Sequence, residues 1–416
     1  MSSNRFISVL GPGLLYAGAA IGVSHLVQST RAGADFGFEL MWILLLANVL
    51  KYPFFEVAGR YVHATGENLI YAYAKQGKWV LVLFLFLTLL TMFPIQAAVT
   101  MVTAGLAINL SGVHLNAFQM SAILMLLTMV LLIIGRFRLL DNTIKVVVLL
   151  LSVSTIVALI AAFFNHVVPS EQQQHFFKIS EKAHIYFLIA FIGWMPSPID
   201  VSVWSSLWSQ AKNKQMKFRP TLKEVLLEFR IGYFGTMLIA AAFLSLGSLV
   251  LHGHNEKLSD SGAVFAGQLI SLYTRNIGQW AYPVIAIAAL TTMLSTTITV
   301  MDAYPRVLQP TLNLLRGKNK PEQGRIQYIS WMILVSAGGL LLIYLAGNSM
   351  RFMVDLATSL SFVTAPILAF LNYRAIYAVE IPIESRPGFV IKIWSWIGIG
   401  FLTLFTLFYL YWIVVS

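Results

Sequence analysis

Apolar residues in this chain come in long, nearly unbroken runs rather than in the short alternations of water-facing helices and strands. Eleven runs are long enough to cross about 30 Å of hydrocarbon. They lie near residues 9–30, 40–59, 79–110, 118–135, 143–165, 183–207, 231–251, 280–304, 327–346, 351–373 and 389–414. The pattern predicts an all-α integral membrane protein with eleven transmembrane helices in a single transmembrane domain over 1–416. Two runs are poor as continuous helices. The first contains AGAAIGVSHLVQST at 17–30, where Gly18 and Gly22 are followed by the polar pair Ser24 and His25. The sixth reads FIGWMPSPIDVSVW at 191–204, with Gly193, Pro196 and Pro198 close together. A proline inside a helix costs about 3 kcal/mol, so two of them, two residues apart, predict a break.

Within lipid every backbone N–H and C=O needs an internal partner, so a broken helix belongs beside a cavity or inside protein. Breaks five spans apart point to a 5+5 inverted repeat with its substrate site between the broken helices. The repeats are then about 9–165 and 183–373, with an extra helix at about 389–414. The first apolar run is long enough to span, so it is expected to be a span and not a cleaved leader.

Composition narrows the class further. The 416 residues are 58% hydrophobic and 11% charged, against about 25% charged in soluble domains. With no cysteine, disulfides and thiolate metal sites are excluded. The formal net charge of +11 would suit nucleic acid, but most Lys and Arg fall on alternate loops, as in KNKQMKFRPTLKE at 212–224 and RGKNKPEQGR at 316–325. The positive-inside rule explains this distribution. It predicts a multi-pass protein of the cell inner (cytoplasmic) membrane, with the N-terminus cytoplasmic, the C-terminus outside and no nucleic-acid partner. DSGAVFAGQLISLY, within 252–279, has helical apolar spacing and is expected to lie along the membrane or cap an outer opening. No nucleophile–base spacing, phosphate loop or zinc-hydrolase motif is present, so an enzyme is not expected.

Several motifs carry a resemblance. GPGLLYAG at 11–18 and QSTRAGADFGFELMWILLLANVL at 28–50 resemble the first two helices of the Nramp (natural resistance-associated macrophage protein) family of divalent-metal transporters. ATGENL at 64–69, WMPS at 194–197 and LSTTIT at 294–299 are similar to further family motifs. The resemblance implies a LeuT-like fold, alternating access, and a divalent metal of manganese or iron type as substrate, with no cofactor. The family carries Asp-Pro-Gly-Asn in the broken first helix, where Asp and Asn hold the metal. Here those positions are Gly22, Val23, Ser24 and His25. The resemblance carries the family methionine over to Met195 and the ligating carbonyl to Ile192. A family histidine becomes Ser197, a metal-facing glutamine becomes Thr358, and the acidic pair for proton movement becomes Gln96 and Val99. It thus implies a neutral site and weak or lost proton coupling.

The candidate substrate-binding residues are Gly22, Ser24, His25, Ile192, Met195, Ser197, Asp200 and Thr358, with His25 and Met195 as metal ligands. Imidazole and thioether favour manganese-to-zinc type ions over magnesium and calcium. Asp200, in the half-helix after the second break, is the acidic residue best placed to face the path. Lys51 and Glu56 are expected to form a structural pair or to snorkel near the inner face, Asp302 to pair with Arg306, and Arg351 with Asp355. A second reading stays open, a permease for a small organic solute such as an amino acid or carboxylate. The N–H groups freed near Ser24, His25 and Ser197 suit a carboxylate, and Trp194, Trp204 and Trp208 would line an apolar side.

Overall fold

A computed structural model describes residues 11–135, 137–165, 176–215, 218, 220–253, 257–318, 324–347 and 349–415. The expected cytoplasmic start at 1–10 and parts of the basic segments at 212–224 and 316–325 lie outside the described residues. The first expected span is divided into α1 (Pro12–Ala20), a π-helical stretch (Ser24–Ser29) and α2 (Thr30–Phe36). Next come α3 (Met41–Thr65), the short α4 (Leu69–Gln76), α5 (Lys78–Ser111), α6 (Ala117–Ile134) and α7 (Phe137–Asn165). The sixth span is α8 (Lys182–Trp194) and α9 (Val201–Gln215), separated by a non-helical stretch from Met195 to Asp200. After these follow α10 (Leu222–Val250), α11 (Gly262–Ile277), α12 (Tyr282–Leu315), α13 (Arg325–Leu345), α14 (Met350–Ile376) and α15 (Phe389–Val415).

Among the described residues eight helices, namely α3, α5, α6, α10, α12, α13, α14 and α15, are long and apolar enough to cross a membrane in one piece. The other three of the eleven expected spans are the two broken ones and α7, whose apolar stretch among the described residues is Leu149–Phe164. Burial sorts the helices into layers. Only 28% of the apolar windows of α6, α13 and α15 are buried, against 72% for α3. The first three therefore face lipid, while α3 sits inside the bundle.

The broken first span runs along α10, and small residues set how closely the two approach. Gly232 lies under the Gly13 carbonyl, Gly247 under the Thr30 carbonyl, and Gly33 under the Leu244 carbonyl. Lipid tails are as apolar as leucine, so close backbone packing through small residues replaces the hydrophobic effect as the glue between membrane helices. The α8 half-helix is held the same way, with Gly193 against the Thr358 carbonyl of α14. The amphipathic 252–279 segment forms α11, which packs onto α5 and α7. Gly262 meets Gly105, and the Tyr273 hydroxyl lies 2.9 Å from Thr155 Oγ1.

A Cβ at Gly33 would fall 1.9 Å from the Leu244 carbonyl oxygen, whereas one at Gly400 on α15 meets nothing within 4 Å. Gly33→Ala should therefore destabilise the protein by roughly 1–3 kcal/mol through overpacking, and Gly400→Ala should not. Thermal melts in detergent would read the difference, and equal melting temperatures would contradict this packing.

Candidate functional site

The two breaks face each other. In the first, α1 ends at Ala20, and the chain re-enters helix with wide i→i+5 turns that free polar groups sideways, a form common at functional sites. Ser24 Oγ lies 2.8 Å from the Ala20 carbonyl and 3.3 Å from the Pro196 carbonyl of the second break, and shares its one proton among these and His25 Nδ1. Ser29 Oγ donates to the Ser24 carbonyl (3.2 Å) and lies 3.9 Å from Met195 Sδ. Hydroxyls of the first break thus lie against backbone and sulfur of the second.

The carbonyls at the end of α8 have a different partner. Lys51, fully buried in the interior of α3, donates from Nζ to the Ile192 carbonyl (2.6 Å) and the Gly193 carbonyl (2.9 Å). This corrects the expected Lys51–Glu56 pairing. Glu56 instead accepts from Tyr52 and Arg60, with Arg230 Nη2 3.7 Å away. The sequence exposes Lys51 as a charge in an apolar run but gives no sign of a partner 141 residues later. Its position fits electrostatics, because the C-terminal end of a helix carries partial negative charge on unsatisfied carbonyls.

The structure brings together most of the sequence-derived candidates, all of them buried. Gly22 lies in the first break, and its carbonyl accepts the N–H groups of His25 (3.1 Å) and Leu26 (2.9 Å). His25 has both ring nitrogens engaged. Nε2 is 2.9 Å from the Thr236 carbonyl, which can only accept, so Nε2 carries the proton. Nδ1 is 2.7 Å from Ser24 Oγ. Ser197 Oγ reaches the Tyr16 hydroxyl at 3.4 Å. Asp200 stands just before α9, and its Oδ1 has no hydrogen-bond partner. Thr358 Oγ1 is turned back to its own helix at the Val354 carbonyl (2.8 Å), with Gln28 Nε2 at 3.5 Å. Trp194 donates to Ser361 (2.8 Å) and Trp204 packs edge-on against Tyr304, while Trp208 is only partly buried. No group of three or more His, Cys, Asp or Glu side chains capable of holding a metal occurs among the described residues.

On the α11 side the site is closed by a cluster the sequence reading missed. Arg31 of α2 pairs with Asp355 of α14 at 2.7 Å, donates to Gln28 Oε1 at 3.0 Å, and lies over the Phe187 ring of α8 at 4.9 Å. The expected Arg351–Asp355 contact exists but is longer, at 3.8 Å. The one signal for this closure was Arg31 itself, a charge directly after the first apolar run. On the opposite side Glu228 of α10 accepts the N–H groups of Gly11 (2.9 Å) and Gly13 (2.6 Å), capping α1. A cavity of about 30 Å³ remains there between α1, α3, α9 and α10, room for a water or two. Asp302 pairs with Arg306 at 2.7 Å, as expected.

A helix bundle with two facing breaks, closed on one side by an ion pair and on the other by a carboxylate cap, is the architecture of a LeuT-like membrane transporter. The match to known proteins is specific. The Nramp (Natural resistance-associated macrophage protein-like) family model matches residues 13–411, so the chain belongs to this family of transporters and is not an enzyme. An uncharacterized protein of Pasteurella multocida is 34% identical over 407 residues, 97% of this chain and 92% of that protein. Among solved structures, a mutant of the Eremococcus coleocola manganese transporter superposes with a TM-score of 0.71 at 15% identity, covering 97% of this chain and 86% of that one. MhsT in complex with L-phenylalanine follows at TM-score 0.63 and 14% identity, covering 95% of this chain and 98% of that one. MHP1, a nucleobase-cation-symport-1 family transporter, follows at TM-score 0.58 and 13% identity, with coverages of 93% and 83%.

A Cβ at Gly22 would lie 2.8 Å from Thr296 Oγ1 and 3.0 Å from Thr296 Cγ2. The space an aspartate would need is filled by α12. Gly22→Asp alone should therefore lower stability, and pairing it with Thr296→Ala should recover much of the loss. Melting temperatures of the two variants read this, and an unperturbed Gly22→Asp single variant would contradict it.

Proposed function

We propose that this chain carries a divalent metal ion of manganese type across the cytoplasmic membrane by alternating access. The observation that carries the reading is the pairing of Nramp family membership with a buried thioether, Met195, at the meeting point of the two breaks. The fold alone does not choose a substrate, since its structural neighbours include proteins with an amino acid or a hydantoin bound. A thioether beside carbonyl oxygens favours manganese-to-zinc type ions over magnesium and calcium. The ligands we assign are Met195 sulfur and the Ile192 carbonyl, with the Gly22 carbonyl and His25 Nδ1 joining when each gives up its present hydrogen bond. Ser24, Ser197 and Thr358 line the site, and Asp200 supplies the nearby negative charge.

The site is neutral at the position of the family carboxylate, so we infer weaker binding than in a charged clamp. Proton coupling is weak or absent for a related reason. Gln96 is uncharged and bonds Thr100 at 3.0 Å, and Val99 has nothing to protonate. In this reading residues 9–165 and 183–373 are the two repeats that rock about the breaks. The Glu228–Gly13 side faces the cytoplasm, and the Arg31–Asp355 side faces outward. The basic segments on the first side support that orientation.

Manganese uptake into proteoliposomes tests the reading. Uptake should saturate and change little when a pH gradient is imposed, and His25→Ala, which removes an assigned ligand, should cut apparent affinity by at least the roughly 10–100-fold that follows loss of a group that only orients a ligand. Failure to take up manganese or cadmium would contradict the metal reading and turn attention to organic solutes.

A further inference from the structure

The Lys51 contact has a consequence beyond closing a helix end. A lysine ammonium removed from water needs compensation from polar or anionic groups. No carboxylate lies within ion-pair distance of Lys51 among the described residues; its compensation is the carbonyl pair Ile192 and Gly193. Those carbonyls end the α8 half-helix, where the backbone presents oxygen and partial negative charge. In chemical terms this is a cation subsite, and the chain's own side chain fills it. Gly22 adds no carboxylate on the facing break, and its neighbourhood is filled by Thr296. A free divalent ion on the Ile192 carbonyl would share an oxygen with an ammonium only 2.6 Å from it, an arrangement of unscreened like charges.

We propose that Lys51 is a tethered cation that occupies the carbonyl subsite of the α8 break, so that a free cation enters only as the ammonium leaves. This rests on the metal-transport reading for the identity of the competing ion, but not for the occupancy itself. Lys51 is thereby a specificity-determining residue. It stabilises the break without substrate, and it weakens divalent binding by competing for the same oxygens. Arg60 and Arg230 are engaged by Glu56.

The test measures manganese binding by calorimetry on the full chain in nanodiscs, for the wild type and for Lys51→Gln, Lys51→Met and Lys51→Arg. The two neutral variants should bind about tenfold more tightly than wild type, as expected when one nearby like charge is removed, and the Arg variant no more tightly. Equal affinity in all four would overturn the tethered cation while leaving manganese transport standing. Binding by the neutral variants, with neither binding nor uptake by wild type, would uphold the tethered cation and overturn the transport reading. Binding by none would overturn both. Lys51→Gln keeps one donor for the carbonyls, so a folding failure of Lys51→Met does not end the test. On wild-type protein, reductive methylation read by mass spectrometry should modify Lys51 more with saturating manganese than without. Unchanged modification would overturn the proposal as well.

Discussion

Inside a bilayer an unpaired backbone carbonyl or N–H has no water to turn to, and each one left alone costs several kcal/mol. Most of what is particular about this protein follows from meeting that demand at two interrupted helices. At the first break the wide turns of the π-helical stretch and the hydroxyls of Ser24 and Ser29 take up the freed groups. At the second, Lys51 takes the carbonyls of Ile192 and Gly193, and Ser24 reaches the carbonyl of Pro196. The two solutions meet where Ser24 Oγ lies 3.3 Å from the Pro196 carbonyl and Ser29 Oγ 3.9 Å from Met195 Sδ.

That arrangement is held from outside by close packing. Glycines along α10 and the first span bring backbones into contact, the close packing by which membrane helices associate. The closures at the two ends differ in kind. Arg31, Gln28 and Asp355 join α2 to α14 through charged and polar side chains, whereas Glu228 holds α1 by backbone N–H groups. Both elements joined to the first span sit beside the breaks.

Much of this was legible in the residues. Long apolar runs gave the helices, and Gly22, Pro196 and Pro198 gave the breaks, because glycine and proline act on backbone geometry within a few residues. The Nramp motifs placed Met195 and Ile192 at the second break, where the structure has them. The partners were less legible. Lys51 and the α8 carbonyls, or Arg31 and Asp355, meet only after helices far apart in sequence have packed, and no local spacing encodes that. Glu56 was misassigned for the same reason. An i,i+5 charge pair looks local, yet Arg60 at i+4 and Arg230 from α10 are better placed to reach it. The filling of the space beside Gly22 by Thr296 was equally hidden, since it depends on how closely α12 approaches.

An anomalous difference map from crystals of the protein grown with manganese would locate the ion and the Lys51 side chain together. The expected result is a peak within bonding distance of Met195 Sδ and the Ile192 carbonyl, with the Lys51 side chain withdrawn from both α8 carbonyls. A peak elsewhere along the path, with Lys51 still on Ile192 and Gly193, would contradict both the assigned ligands and the competition between the two cations.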